Sequence, residues 1–144
     1  MVEQENSAIA KGIEAVEQGN TALAMELFRQ VKETDMTPLV ISYQAYCLAC
    51  EQKTIPKAIN MGLRALQKDR THPLIYLNLG RIYYAAGFES KALDFYRQGL
   101  RYQKHPLLLR RMEILCLRRR RFLPFLDRSN PLNIITGKIL SKIF

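Results

Sequence analysis

Pro38, Pro73 and Pro106 stand 35 and 33 residues apart, and each opens an apolar-rich run of the chain. Thr37, His72 and His105 come immediately before them. Proline is at home in the first turn of a helix, where its missing N–H has no partner to lose. The runs PLVISYQAYCLA and PLIYLNLGRIYYAA are closely alike, and PLLLRRMEILCLRRRR follows the third proline. A period near 34 residues implies a supersecondary unit that cannot bury its apolar face alone, so neighbouring units must stack.

The interiors of the units align as well. Superposing AVEQGNTALAMELFRQV on AAGFESKALDFYRQGL puts Gly12 on Gly80, Gly19 on Gly87, Ala24 on Ala92 and Phe28 on Tyr96. The middle unit fits once an extra residue is allowed in its turn, within CEQKTIP, which places Ala45 on Gly80, Ala58 on Ala92 and Ala65 on Gly99. Each unit reads as two helices; in the third they span about 73–86 and 90–102. Glycine inside a helix costs ~1 kcal/mol against alanine. Gly80 and Ala92 therefore read as the crossing point of two helices, where small side chains let the backbones approach, with Tyr83 and Tyr96 filling the space beside them. Gly19 and Gly87 suit a left-handed exit from the first helix of their units. Asn20 or Thr21, and Ser90 or Glu89, are the candidate caps of the second helices.

The order Tyr76, Leu79, Gly80, Tyr83, Gly87, Ala92, Tyr96, Leu100 resembles the tetratricopeptide-repeat motif, a resemblance that covers about two thirds of the chain, and the tail looks like the endings of small bacterial-type proteins of that family. Gly99 departs from it where alanine is usual, Ala8 and Gly62 stand where large aromatics are usual, and the closing proline of the third unit comes late. The resemblance implies an all-α fold, a right-handed α-solenoid of three helical hairpins with a capping helix and a C-terminal amphipathic helix. Residues 1–121 then form one domain, with units at about 5–38, 39–72 and 73–106 and the capping helix at 107–121. Residues 122–144 form a basic tail.

The resemblance also implies that the first helices of the units line a concave, ligand-binding face. On this sequence that face carries Asn6, Ile9, Ile13, Val16 and Glu17, then Leu39, Ser42, Tyr46, Ala49 and Cys50, then Leu74, Leu77, Arg81, Tyr84 and Ala85. The family's device for gripping a peptide's terminal carboxylate is excluded, because Ile9 and Leu74 hold matching positions. An apolar, tyrosine-bearing groove suits a peptide anchored by hydrophobic side chains. The expected anchors are Ile9, Ile13, Tyr46, Leu77 and Tyr84, with Arg81 available to an acidic group.

Net charge is +9, and its location matters more than its size. Residues 1–105 carry 13 Lys and Arg against 11 Asp and Glu, whereas residues 106–144 carry 9 against 2. In the run after Pro106, Leu108, Met112, Leu115 and Cys116 share one helical face, as a capping helix requires. Arg118, Arg119, Arg120 and Arg121 read as a solvated helix end favoured by the helix dipole, or as a weak anion-binding patch. Four consecutive arginines point around a helix, which disfavours groove reading of nucleic acid. In FLPFLDRSNPLNIITGKILSKIF, Leu132, Ile135, Ile139, Leu140 and Ile143 share a stripe opposite Lys138 and Lys142. Three placements fit this tail: packed on its own repeats (the expectation for the domain), docked on a partner protein, or lying in an anionic membrane interface.

No phosphate-cradling glycine loop, metalloprotease signature or serine elbow is present. Cys47 and Cys50 lie inside a helix without a second ligand pair, which reads as buried small residues. His72 and His105 sit at repeat junctions with no catalytic companion. With no secretory leader at the start and an odd number of cysteines, three, the expected setting is the cytoplasm, with reduced thiols. The expectation is a non-enzymatic scaffold or adaptor, without cofactor or metal, that binds a protein or peptide on its concave face. The alternative is peripheral attachment to an anionic membrane or nucleic acid through the basic C-terminal segment.

Overall fold

In a computed structural model of the chain, residues 2–119 are described, with side chains for 7–118. They form seven α-helices: α1 Val2–Glu17, α2 Thr21–Arg29, α3 Pro38–Glu51, α4 Ile55–Lys68, α5 Pro73–Ala85, α6 Glu89–Tyr102 and α7 Pro106–Arg119. A 3-10 turn, Glu33–Asp35, joins α2 to α3, and the described residues contain no strand. Arg120, Arg121 and the tail 122–144 lie outside the described residues, as does the side chain of Arg119.

The three prolines open α3, α5 and α7, and the residue before each supplies a cap. Thr37 Oγ1 accepts from the Val40 N–H at 3.3 Å. His72 Nδ1 accepts from the Leu74 N–H, and His105 Nδ1 from the Leu107 N–H, each at 3.3 Å. The two histidines are therefore helix-end acceptors, satisfying donors that would otherwise be orphaned.

Helices α1 and α2, α3 and α4, and α5 and α6 pair as hairpins, each joined by a three-residue connection. Gly19 and Gly87 adopt the left-handed conformation, with φ of +83° and +86°. Each closes its helix with a reciprocal pair of bonds: Gly19 N–H to Val16 O and Asn20 N–H to Ala15 O, then Gly87 N–H to Tyr84 O and Phe88 N–H to Tyr83 O. Asn20 also caps α2 by accepting from the Leu23 N–H, whereas α6 starts after Phe88 with no side-chain cap.

The middle hairpin differs from expectation. Its connection is no longer than the others, so the extra residue lies within α3. Lys53 holds the left-handed position, with φ 53°, because the chain must leave α3 by the same route as its neighbours without a glycine to do so.

The crossing points are where the sequence places them. A Cβ on Gly80 would lie 2.1 Å from a ring carbon of Tyr96, and one on Gly12 would lie 2.5 Å from Phe28. Each ring packs directly against the backbone of the facing helix. Ala92, Ala24, Ala45 and Ala58 are fully buried at the corresponding contacts. Between hairpins, α3 rests on α1 and α5, and α5 rests on α7; α2 meets α3, α4 meets α5, and α6 meets α7. Helix α5 is thus covered on most sides, and it is apolar around most of its circumference, as burial of that kind demands.

Two substitutions of opposite sign test this packing. Gly80→Ala forces the Tyr96 ring aside and is expected to cost about 1–3 kcal/mol despite its better helix propensity. Lys53→Gly relieves left-handed strain at an exposed site and is expected to gain roughly 0.5–1 kcal/mol. Denaturant and thermal unfolding measure both.

Candidate functional site

Successive contacts make α1, α3, α5 and α7 neighbours in one layer. A polar network crosses it. Arg81 on α5 grips Glu17 on α1 with both arms: Nη2 to Oε2 at 2.7 Å and Nη1 to Oε1 at 2.9 Å. The α1 and α5 backbones make no close approach, so the two side chains meet over α3. From α3, the Tyr43 hydroxyl donates to Glu17 Oε1 at 3.3 Å. Arg81 Nη1 also donates to Asn78 Oδ1 at 3.2 Å, and Asn78 Nδ2 donates to Ser42 Oγ at 3.0 Å. Ser42 passes the chain on to the Leu39 carbonyl at 2.7 Å.

This is a bidentate, charge-assisted pair in a nearly dry setting. The Arg81 side chain is 3% exposed and that of Glu17 26%. Burial works to lower the Arg81 pKa, and the hydrogen bond and charge of Glu17 reverse that, so the guanidinium is held charged. Its carbon lies 5.3 Å from the centroid of the Tyr46 ring, a cation–π contact of the kind that gains strength when desolvated. Only Nε is left without a hydrogen-bond partner among the described residues.

A second cluster lies where α7 meets α5. Arg118 donates to the Tyr84 hydroxyl, its guanidinium carbon is 5.6 Å from the Tyr84 ring centroid, and it pairs with Glu89 on α6 at 3.2 Å. Arg111, exposed on α7, lies close enough for its charge to bear on the hydroxyls of Tyr46 and Tyr96, and it makes no ion pair among the described residues. Burial, first, pushes the Tyr46 hydroxyl up to about 12.

The six expected anchors therefore divide. Ile9, Ile13 and Tyr46 each pack against the core shared by α1, α2 and α3 while remaining partly accessible. Tyr84 is exposed. Leu77 is not an anchor: it is fully buried in the core centred on α5 and shared with α4, α6 and α7. Arg81 is not free for an outside acid, since Glu17 already satisfies it. Both corrections have one cause, the central position of α5, whose covered flanks leave little of its surface to a ligand. Arg118 likewise is not a free anion site but a tie between α5, α6 and α7.

Sequence reasoning gave no role at the site to Asn78, Glu89 or Arg111. Asn78 and Arg81 could have been found as a pair: they are the polar side chains of an otherwise apolar helical stretch, three residues apart, and so must satisfy each other or a neighbour.

Cys47 is buried without a metal-binding set; no group of His, Cys, Asp and Glu suited to a metal occurs among the described residues. Burial raises the Cys47 thiol to about 12 and raises Cys50 as well. No helix among the described residues is long and apolar enough to cross a membrane. Compared with known proteins, the chain matches no protein-family model and no curated protein.

The ion pair predicts an asymmetry. Glu17→Ala strands a buried cation and is expected to cost about 3 kcal/mol, whereas Arg81→Met leaves a carboxylate that can turn to water and costs about 1 kcal/mol; chemical denaturation separates them. For the thiol, folding favours the protonated form. Its contribution to stability is whole below the unfolded thiol pKa of ~8.5 and is lost as pH rises towards about 12. Native protein at pH 8 should accept iodoacetamide at Cys116 well before Cys47, and peptide mapping reads the order.

Proposed function

We propose that the chain is a protein-binding scaffold of tetratricopeptide type, a right-handed stack of helical hairpins that takes a peptide segment along the layer formed by α1, α3, α5 and α7. One observation carries the reading. Partly accessible Ile9, Ile13 and Tyr46 and exposed Tyr84 lie on these helices, and Arg111 on α7, exposed and in no ion pair among the described residues, brings its charge to bear on Tyr46. Aromatic side chains with a polar tip, beside a cation, make a typical recognition surface. Arg81 and Glu17 neutralise each other beneath it and hold Tyr46 in place from below.

The chemistry favours a peptide with aliphatic or aromatic anchors and an acidic residue positioned for Arg111.

Selection from a random peptide library against the wild-type protein tests this. Enriched peptides should be acidic and apolar, and should bind at least tenfold more weakly to Tyr46→Ala/Tyr84→Ala and to Arg111→Glu. The reading fails if these variants, shown by circular dichroism to be folded, bind the selected peptides as wild type does.

A further inference from the structure

The middle hairpin departs from its neighbours at Gly62, which occupies the position held by Phe28 and Tyr96 in the flanking hairpins. A Cβ there would lie 2.7 Å from a Leu79 methyl carbon. Helix α4 is therefore pressed onto α5, where an aromatic ring would hold it off. Towards the 3-10 turn Glu33–Asp35 there remains a cleft of about 340 Å³.

Met36, Ile41 and Met61 give the cleft its apolar floor. Each packs against a different core: Met36 on that of α1, α2 and α3, Met61 on that between α3 and α4, and Ile41 on that centred on α5. The cleft thus opens at the seam where three cores meet, and no side chain of any one of them fills it. At its rim, Arg64 and Lys68 stand one turn apart on α4, both exposed and without an ion pair among the described residues. Like charges at that spacing repel by a few tenths of a kcal/mol, and neither is tied down by an ion pair. Glu33 faces them from the 3-10 turn, and Gln44 is already committed to the Phe28 carbonyl at 3.4 Å.

We propose that this cleft is a binding site for a small aliphatic carboxylate, its chain against Met36 and Met61 and its head between Arg64 and Lys68. The size lies at the lower end of the ligand-pocket range of ~300–1,000 Å³. Methionine suits such a floor, because its unbranched thioether adapts to a flexible chain. Charge fixes the orientation: the α4 wall attracts the anion and Glu33 repels it. The chain's own tail is a poor occupant, since Arg128, Lys138 and Lys142 would meet cations of the same sign. Ile41 and Gln44 lie on a different side of α3 from Ser42 and Tyr46, so the site is independent of the proposed peptide surface and stands or falls without it.

The test is methyl NMR on full-length protein labelled at the methionine methyls, titrated with decanoate below its micelle concentration. The methyl signals of Met36 and Met61 should move together and saturate, with those of Met25 and Met112 unmoved. Arg64→Gln/Lys68→Gln should weaken the apparent affinity at least tenfold, and Glu33→Gln should strengthen it. Decyltrimethylammonium, with the same chain and opposite charge, should leave Met36 and Met61 in place. Any of three results overturns the proposal: no shift at Met36 and Met61 with millimolar decanoate, an equal response to the cationic amphiphile, or undiminished affinity in the double variant. A response to a Leu-Glu peptide without one to decanoate also overturns it, in favour of a protein occupant.

Discussion

The contact on which the architecture depends is an aromatic ring laid on a bare stretch of helix backbone. Tyr96 occupies the space a side chain at position 80 would need, and Phe28 does the same at position 12. Glycine's cost in helix propensity is offset because the ring gains a flat, complementary surface and the paired helices come close enough to share one core. Every larger feature follows from that approach: the short connections, the alignment of the first helices in one layer, and the exposure of tyrosines along it. Where the device is missing, at Gly62, α4 stays paired with α3 and also closes onto Leu79 of α5, and a cleft remains towards the 3-10 turn.

Much of the fold was legible in the sequence because it rests on local rules. Proline opening a helix, a left-handed residue closing one, and small residues at a crossing are one-residue signals with one-residue causes. The departure at Lys53 shows the limit of that logic. The turn was expected to absorb the extra residue, whereas geometry kept the turn constant, lengthened α3 and forced a lysine into a conformation that glycine fills elsewhere.

The candidate site was legible only in outline. The family resemblance pointed to a face, and periodicity placed residues on it, yet neither shows which of them a neighbour has already claimed. Leu77 and Arg81 have the spacing of exposed residues, but α5 lies between α3, α4, α6 and α7, and its exposure is set by four other elements. The partner of Arg81 is 64 residues away. Arg111, by contrast, lies off the apolar face of its own helix, and only the neighbouring helices show that its charge bears on Tyr46.

The tie between Glu17 and Arg81 bears on how the molecule comes apart. Arrays whose units touch only their immediate neighbours melt piecemeal, fraying inward from either end. Here a single pair of long side chains bridges the first and third hairpins over the top of the second. Loosening the amino-terminal helix therefore uncovers a charge in the middle of the array as well as at its edge. Fraying from that end carries an added electrostatic penalty, which couples the first hairpin to the third.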